Sequence, residues 1–328
     1  MTRNYAGIDL GSNSCKIIIC DENKKVLYVD NVSTRLAEGM YNNNNRITDE
    51  AIERCQKCFF EYKKLLDKYN VSDDNVRAVT TAACRTAENG PDLIKKIYDE
   101  SHIKVEIIDG QEEAELNLKG AIDHVLGQSD YVIVFDLGGA STEVTLAKNS
   151  KKTEIISTVS IPWGARNSSE AFSLVEYDEK SANNLRREVD TFMDKFFAKI
   201  GDERINSVSF VATSSTPLRL ASMINQFGQY DRDRADGVVM RREDMDSAIG
   251  QILKAKRSAL AKNPYIGDKR SYIFISASVI FKQIYDRLGV AKLTASLKSA
   301  KDGIVADLIE RDKKSNFYNA WGKNGKAH

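Results

Sequence analysis

Nowhere in the 328 residues is there a run approaching the ~20 apolar positions that a bilayer-spanning helix needs, so no membrane partner is expected. Residues 1–9 hold one arginine and then a buried-strand pattern, which does not read as a signal peptide; the expected setting is cytoplasmic. A surplus of one charge is also missing, since 48 Lys and Arg against 47 Asp and Glu leave a net charge of +1. A general nucleic-acid binder carries a large basic excess, so no nucleic-acid partner is expected. A neutral surface still allows a local basic cleft, and with it a polyanionic substrate. Imidazoles are scarce (His102, His124 and His328), and Cys55 and Cys58 form a CxxC with no second pair. Because that pair also lies in a helical pattern, a zinc or redox centre is disfavoured. The five cysteines read instead as reduced and half-buried.

What is present is an ordinary globular balance, 42% apolar and 29% charged, in a chain long enough for roughly two domains of ~150 residues. Residues 5–10 are apolar, residues 11–14 form a polar turn, and residues 16–20 are strand-like again. Residues 131–135, 136–141 and 142–147 repeat that unit, and the two Asp-Leu-Gly turns lie 127 residues apart. A period that long suggests a duplicated domain rather than a solenoid. Between the units, Thr48 is a candidate N-cap for a helix with the stripe Ile52, Cys55, Phe59, Tyr62, Leu66 and Tyr69. Strands are expected at 76–81 and 105–108, and helices at 82–88 and 111–126, with Asn89-Gly90-Pro91 as a break. Downstream, helices are expected near 180–200 and 244–261, strands at 207–212 and 271–275, and a loop at 42–45. Alternating strands and helices give an α/β architecture.

Two Asp-x-Gly turns facing a cleft have a chemical use. Glycine lets backbone N–H groups approach anionic oxygens, serine and asparagine add donors, and the aspartate can hold a hydrated hard cation. The chain resembles the exopolyphosphatase/guanosine pentaphosphate phosphohydrolase (Ppx/GppA) family in five segments. They are Ile8-Asp9-Leu10-Gly11-Ser12-Asn13-Ser14, Arg35-Leu36-Ala37-Glu38-Gly39, Thr81-Ala82-Ala83-Cys84-Arg85-Thr86-Ala87-Glu88-Asn89, Glu112-Glu113-Ala114 and Asp136-Leu137-Gly138-Gly139-Ala140-Ser141-Thr142-Glu143. Weaker echoes follow at Ile161-Pro162-Trp163-Gly164-Ala165, at residues 230–237 and at Ala300-Lys301-Asp302-Gly303. It looks like the family's short form.

The resemblance implies two actin-like (ribonuclease H-like) domains, each a mixed sheet flanked by helices, with the active-site cleft between them. Their expected extents are 1–123 and 124–310, with 311–328 a solvated tail able to pack back on the first domain. It implies Glu113 as the base that activates water, and Asp136, Glu143 and Asp9 as carboxylates around Mg2+. Asn13, Ser14, Arg35, Arg85, Gly138, Gly139 and Ser141 would bind substrate phosphates. Read alone, Glu113 would be a solvated helix-start residue, Glu143 a lysine partner on a strand surface, and Arg35 neutralised by Glu38. Several family glycines are replaced, by Ala140 in the second turn and by Ser215 within Ala212-Thr213-Ser214-Ser215-Thr216, and both residues are expected to strain their loops or tilt the amides away from a ligand. Lys16 stands where the family has arginine. The implied substrate is inorganic polyphosphate, with guanosine pentaphosphate as runner-up; a low-turnover phosphoryl sensor and a sugar kinase are the readings of other classes. A homodimer is the default assembly for such a chain.

Overall fold

The computed structural model describes residues 3–324 apart from 42, 151–153 and 202–204, with side chains described through Lys313. Strands β1 (Asn4–Leu10), β2 (Cys15–Asp21) and β3 (Val26–Val32) form an antiparallel meander. Strands β4 (Val76–Thr80) and β5 (Val105–Ile107) then join β1 in parallel, giving the order β3-β2-β1-β4-β5. Helix α1 (Asp49–Lys68) enters where the Thr48 hydroxyl accepts the Ala51 N–H at 3.3 Å. Its stripe of Ile52, Cys55, Phe59, Tyr62 and Leu66 shares one core with Ile17 and Ile19 of β2. Burying the Phe59 ring alone is worth roughly 1.5–3 kcal/mol. Short α2 (Ala82–Thr86), α3 (Gly90–Ser101) and α4 (Gly110–Ala121) complete this half.

The second half repeats the plan. Strands β6 (Tyr131–Leu137), β7 (Thr142–Lys148) and β8 (Ile155–Ile161) form the meander. After α5 (Ala165–Ala171) and α6 (Glu179–Ile200), β9 (Val208–Thr213) joins β6 in parallel. Helices α7 (Ser215–Ile224) and α8 (Arg232–Ala235) precede β10 (Val239–Arg241). Four more follow, α9 (Arg242–Lys254), α10 (Arg257–Lys262), α11 (Asp268–Ser271) and α12 (Phe274–Arg287), before β11 (Lys292–Ser296) and α13 (Ala300–Asn324). The sheet order is β10-β11-β9-β6-β7-β8. On one face, Leu185, Val189 and Phe196 of α6 and Ile280, Phe281 and Ile284 of α12 share a core with Phe135 and Leu146. This is the expected pair of actin-like α/β units.

Two helices bind the halves together by crossing over. From the first half, α4 lays Leu118 and Ala121 on Val132, Val134 and Ala147 of the second sheet. From the second, α13 lays Val305 and Ile309 on Tyr5 and Ile18 of the first sheet. Residues 300–310, assigned from sequence to the second unit, therefore lie against the first. The helix continues past 311 into the segment expected as a tail, and Asp312 accepts hydrogen bonds from Arg3 and from the Tyr5 hydroxyl. Side chains from 314 on, residues 325–328 and Asn42 of the expected loop lie outside the described residues.

The structure corrects several local readings. Residues 271–275 are not a strand: α11 ends at Ser271, Ile273 is the N-cap of α12, and every residue of 274–281 is buried. Residues 271–275 open a run, 273–281, that is buried throughout and so carries no periodicity, and strand and buried helix then look alike in sequence. The expected helix 244–261 is broken at Ala255 and Lys256 into α9 and α10. Asn89-Gly90-Pro91 marks the expected break, between α2 ending at Thr86 and α3 starting at Gly90, where a first-turn proline loses no hydrogen bond. All five cysteines are free, as expected, but fully buried rather than half-buried.

Candidate active site

The duplication places matching atoms. The Gly11 N–H donates to the Ser14 carbonyl at 3.0 Å, and 127 residues later the Gly138 N–H donates to the Ser141 carbonyl at 3.0 Å. Each turn sits between paired strands whose registers align Asp9 with Lys16 and Asp136 with Glu143. The two turns touch each other. A Cβ on Gly139 would come 3.1 Å from the Ser12 Cβ and 3.3 Å from the Asn13 Cβ, so any side chain there would press the two turns apart by a few tenths of an ångström. Flanking segments strap both turns down. The Arg35 N–H donates to the Asn13 carbonyl at 2.9 Å, and the Arg166 N–H to the Gly139 carbonyl at 2.7 Å. Around them lies a cleft of about 280 Å³ lined by both turns and by Asp9, Glu113 and Asp136.

Helix α4 supplies Glu113. The Asp109 carboxylate caps it, accepting the Glu112 N–H at 2.8 Å. Gly110 lets the first turn lie on β8, since a Cβ there would come 2.8 Å from the Ser160 Cβ. The same serine donates its hydroxyl to Glu143 at 2.9 Å, which brings the α4 turn to the carboxylates of the second unit. Glu112 turns away to an ion pair with the buried Arg77, while Glu113 is only 7% exposed and its Oε2 has no hydrogen-bond partner. Arg85 Nη1 is 3.7 Å from that oxygen and donates to the Ile108 carbonyl at 2.8 Å.

Too much negative charge is gathered here for so little water. Burial raises the Glu113 pKa well above the ordinary value, and the charges of Glu143, Asp9 and Asp136 add to the rise. Burial and Asp136 push Glu143 up to about 7, against the pull of the Ser141 and Ser160 hydroxyls and of Arg85. Asp136 is raised too, by burial, with Lys16 opposing. Burial works to lower Lys16, but Asp9, whose carboxylate lies 3.3 Å away, and Asp136 outweigh it and the net shift is upward.

Of the residues expected from sequence, Asp9, Asn13, Ser14, Glu113, Asp136, Gly138, Gly139 and Ser141 line the cleft together. Glu143 is 2% exposed and held by Ser160, so it is no surface partner of a lysine. Arg85 stands behind Glu113. Arg35 is drawn aside: its guanidinium is exposed and binds Glu38 at 3.1 Å. Sequence reasoning missed Arg166, which donates to Asn13 Oδ1 at 2.9 Å across the two units. It directly follows the Pro-Trp-Gly-Ala echo, the one signal that could have found it. Tyr230 and Arg270, which also line the cleft, were not singled out as site residues either.

The expected loop strain is displaced. Neither Ala140 nor Ser215 has positive φ; Ser214 does, at φ 84° and ψ −176°, a region that only glycine occupies freely. Ser214→Gly is therefore expected to stabilise the chain by ~1 kcal/mol or more, read as a higher midpoint in urea unfolding. An unchanged or lower midpoint would count against strain at that residue.

A model of the Ppx/GppA phosphatase family matches residues 18–312. The bifunctional 3-dehydroquinate synthase/phosphatase of Fusobacterium nucleatum is 28% identical over 316 residues, covering 93% of this chain and 46% of that protein. The guanosine-5'-triphosphate,3'-diphosphate pyrophosphatase of Photobacterium profundum is 25% identical over 312 residues, covering 94% of this chain and 59% of that protein. The chain thus spans about half the length of the curated relatives it matches. An exopolyphosphatase from Cytophaga hutchinsonii shares the fold with a TM-score of 0.84 at 22% identity, over 94% of this chain and 98% of that one. A Ppx/GppA family member from Aquifex aeolicus does so with a TM-score of 0.74 at 22% identity, over 96% and 99%. By the extent of the family model, the chain belongs to the Ppx/GppA phosphatase family.

Proposed function

We propose that the chain is an exopolyphosphatase that releases the terminal phosphate of inorganic polyphosphate with water activated by Glu113. The observation that carries this reading is the buried Glu113 Oε2, which accepts no hydrogen bond, at a cleft formed by two abutting glycine turns. The turns hold the terminal phosphoryl group, and Arg85 positions Glu113 from behind. Glu113 takes a proton from water as its oxygen bonds to phosphorus, the bridging P–O bond breaks, and the shortened chain leaves with the electron pair.

The carboxylates fit a hydrated magnesium ion. Among the described residues no group of three or more His, Cys, Asp or Glu side chains is gathered closely enough to chelate a metal directly. Burial first, with the charges of neighbouring carboxylates added, raises Glu113, Glu143 and Asp136; a cation would offset both, and magnesium commonly binds through its waters. Asp9, Asp136 and Glu143 would hold it, and it would supply neutralisation of charge on the phosphate oxygens.

Guanosine pentaphosphate is the second reading, favoured by the similarity to the Photobacterium profundum pyrophosphatase. Phosphate release from polyphosphates of several lengths, guanosine pentaphosphate and ATP, each with magnesium, tests both. Release from none of the three would overturn the enzymatic reading. Arg85 offers a sharper check. Its fork bonds a carbonyl and faces Glu113, which an ammonium cannot reproduce. Arg85→Lys is expected to lower kcat/KM about tenfold or more, and an unchanged value would leave Arg85 outside the site.

A further inference from the structure

Asn13 belongs to the first glycine turn and lines the cleft, but its backbone leaves the side-chain amide undecided. The torsion that turns an asparagine amide end for end is broad, so the end that faces the cleft depends on what holds the other. Here the holder is Arg166, 153 residues away on α5 of the second unit, whose Nη2 donates to Asn13 Oδ1 at 2.9 Å. A guanidinium only donates, so it takes the carbonyl end of the amide and leaves the Nδ2 end, with two N–H donors, on the opposite arm.

Arg166 is itself fixed in place. A Cβ on Gly164 would come 2.5 Å from the Gly139 carbonyl carbon, so residues 164–166 lie flush on the second turn, and the Arg166 N–H donates to the Gly139 carbonyl at 2.7 Å. The adjoining Asn167 side chain closes the entry of α5. It donates to the Ala140 and Pro162 carbonyls at 2.9 Å each and accepts the Gly164 N–H at 2.8 Å. Arg166 is 8% exposed, and from the first unit Glu38 comes within 3.7 Å of its Nη1. Burial lowers its pKa, with Glu38 and Glu170 opposing the fall. A buried guanidinium is costly to desolvate, yet among the described residues its side-chain hydrogen bond goes to an uncharged amide.

We propose that Arg166 is a positioning residue that holds the Asn13 amide with Nδ2 toward the cleft, where it donates to a phosphate oxygen of the substrate. The proposal rests on the phosphohydrolase reading of the cleft and deepens it, by naming what prepares one of the donors. An amide oriented before the ligand arrives need not be ordered when the ligand binds, so the benefit appears as affinity.

The test is a double-mutant cycle of binding, read by calorimetry with inorganic tripolyphosphate and magnesium in a Glu113→Gln chain. Arg166→Met and Asn13→Ala should each weaken binding about tenfold, the usual contribution of one hydrogen bond to a charged group. The double variant should bind no more weakly than Asn13→Ala alone, because Arg166 acts through Asn13. Arg166→Lys, whose ammonium also only donates, should lose less than about threefold. Arg166→Met should melt within a few degrees of the parent, since Glu38 keeps Arg54 at 3.2 Å. If it does not fold, Arg166→Gln carries the same cycle, because its own amide can present either end to Asn13. Unchanged binding in Arg166→Met, or losses that add in the double variant, would overturn the positioning role. Phosphate release by the parent reads the enzymatic proposal separately: coupling without release would overturn the hydrolase and leave the positioning role standing. No tripolyphosphate binding by the Glu113→Gln chain would overturn both.

Discussion

Glu113→Gln is expected to lower the rate of phosphate release at least a hundredfold while polyphosphate binding persists. A positioned general base contributes ~10²–10⁴ in rate, and glutamine keeps the size of the side chain without its proton affinity. The position favours this role, because Oε2 is buried, accepts no hydrogen bond and lies at the cleft that both glycine turns line. Its pKa is raised, first by burial and then by Glu143, Asp9 and Asp136. A base works only when ionised, so kcat/KM should rise with pH along an acid limb that glutamine abolishes. Single-turnover assays beside equilibrium binding separate the two effects. Turnover within twofold of the parent would remove Glu113 from the chemistry.

Glu143→Gln should reduce activity about a hundredfold and yet stabilise the metal-free protein. The carboxyl is 2% exposed, and burial with Asp136 raises it from 4.5 to about 7. A raised folded-state pKa means that the native chain binds more protons than the unfolded chain between those values. The stability this group contributes is full below 4.5 and is lost as pH rises through about 7. Chelator-treated parent protein should therefore unfold more readily at pH 8 than at pH 5.5 through this group, by on the order of 2–3 kcal/mol. Glutamine still accepts the Ser160 hydroxyl, so the variant should lack that loss. Magnesium should restore stability to the parent and do little for the variant. Melting curves at the two pH values decide it, and a variant less stable than the parent at pH 8 would defeat the account.

Much of the local architecture was legible in the chain. The repeat at 127 residues fixed both hairpins, their turns and the carboxylates at their ends, because a strand–turn–strand pattern is local and glycine marks its tip. The α1 stripe and its Thr48 cap were legible for the same reason, since a helical period lies within one segment. Residues 271–275 were not, because the apolar run 273–281 that they lead into is buried throughout and shows no period. Loop strain was expected at glycine replacements, but backbone torsion belongs to the closed loop, and it settled on Ser214.

Sequence by itself determined which residues could do the chemistry: two Asp-x-Gly turns, the Glu112–Glu113 pair and the candidate arginines. Tertiary structure decided which of them meet. It sent Glu112 to Arg77 and set Glu113 before Arg85, tied Arg35 to Glu38, and brought Arg166 across to Asn13. It also crossed α4 and α13 between the two sheets. Composition and periodicity record what each segment prefers. A charge's partner is set by distance, and distance between segments far apart in the chain exists only once the sheets and their crossing helices have packed.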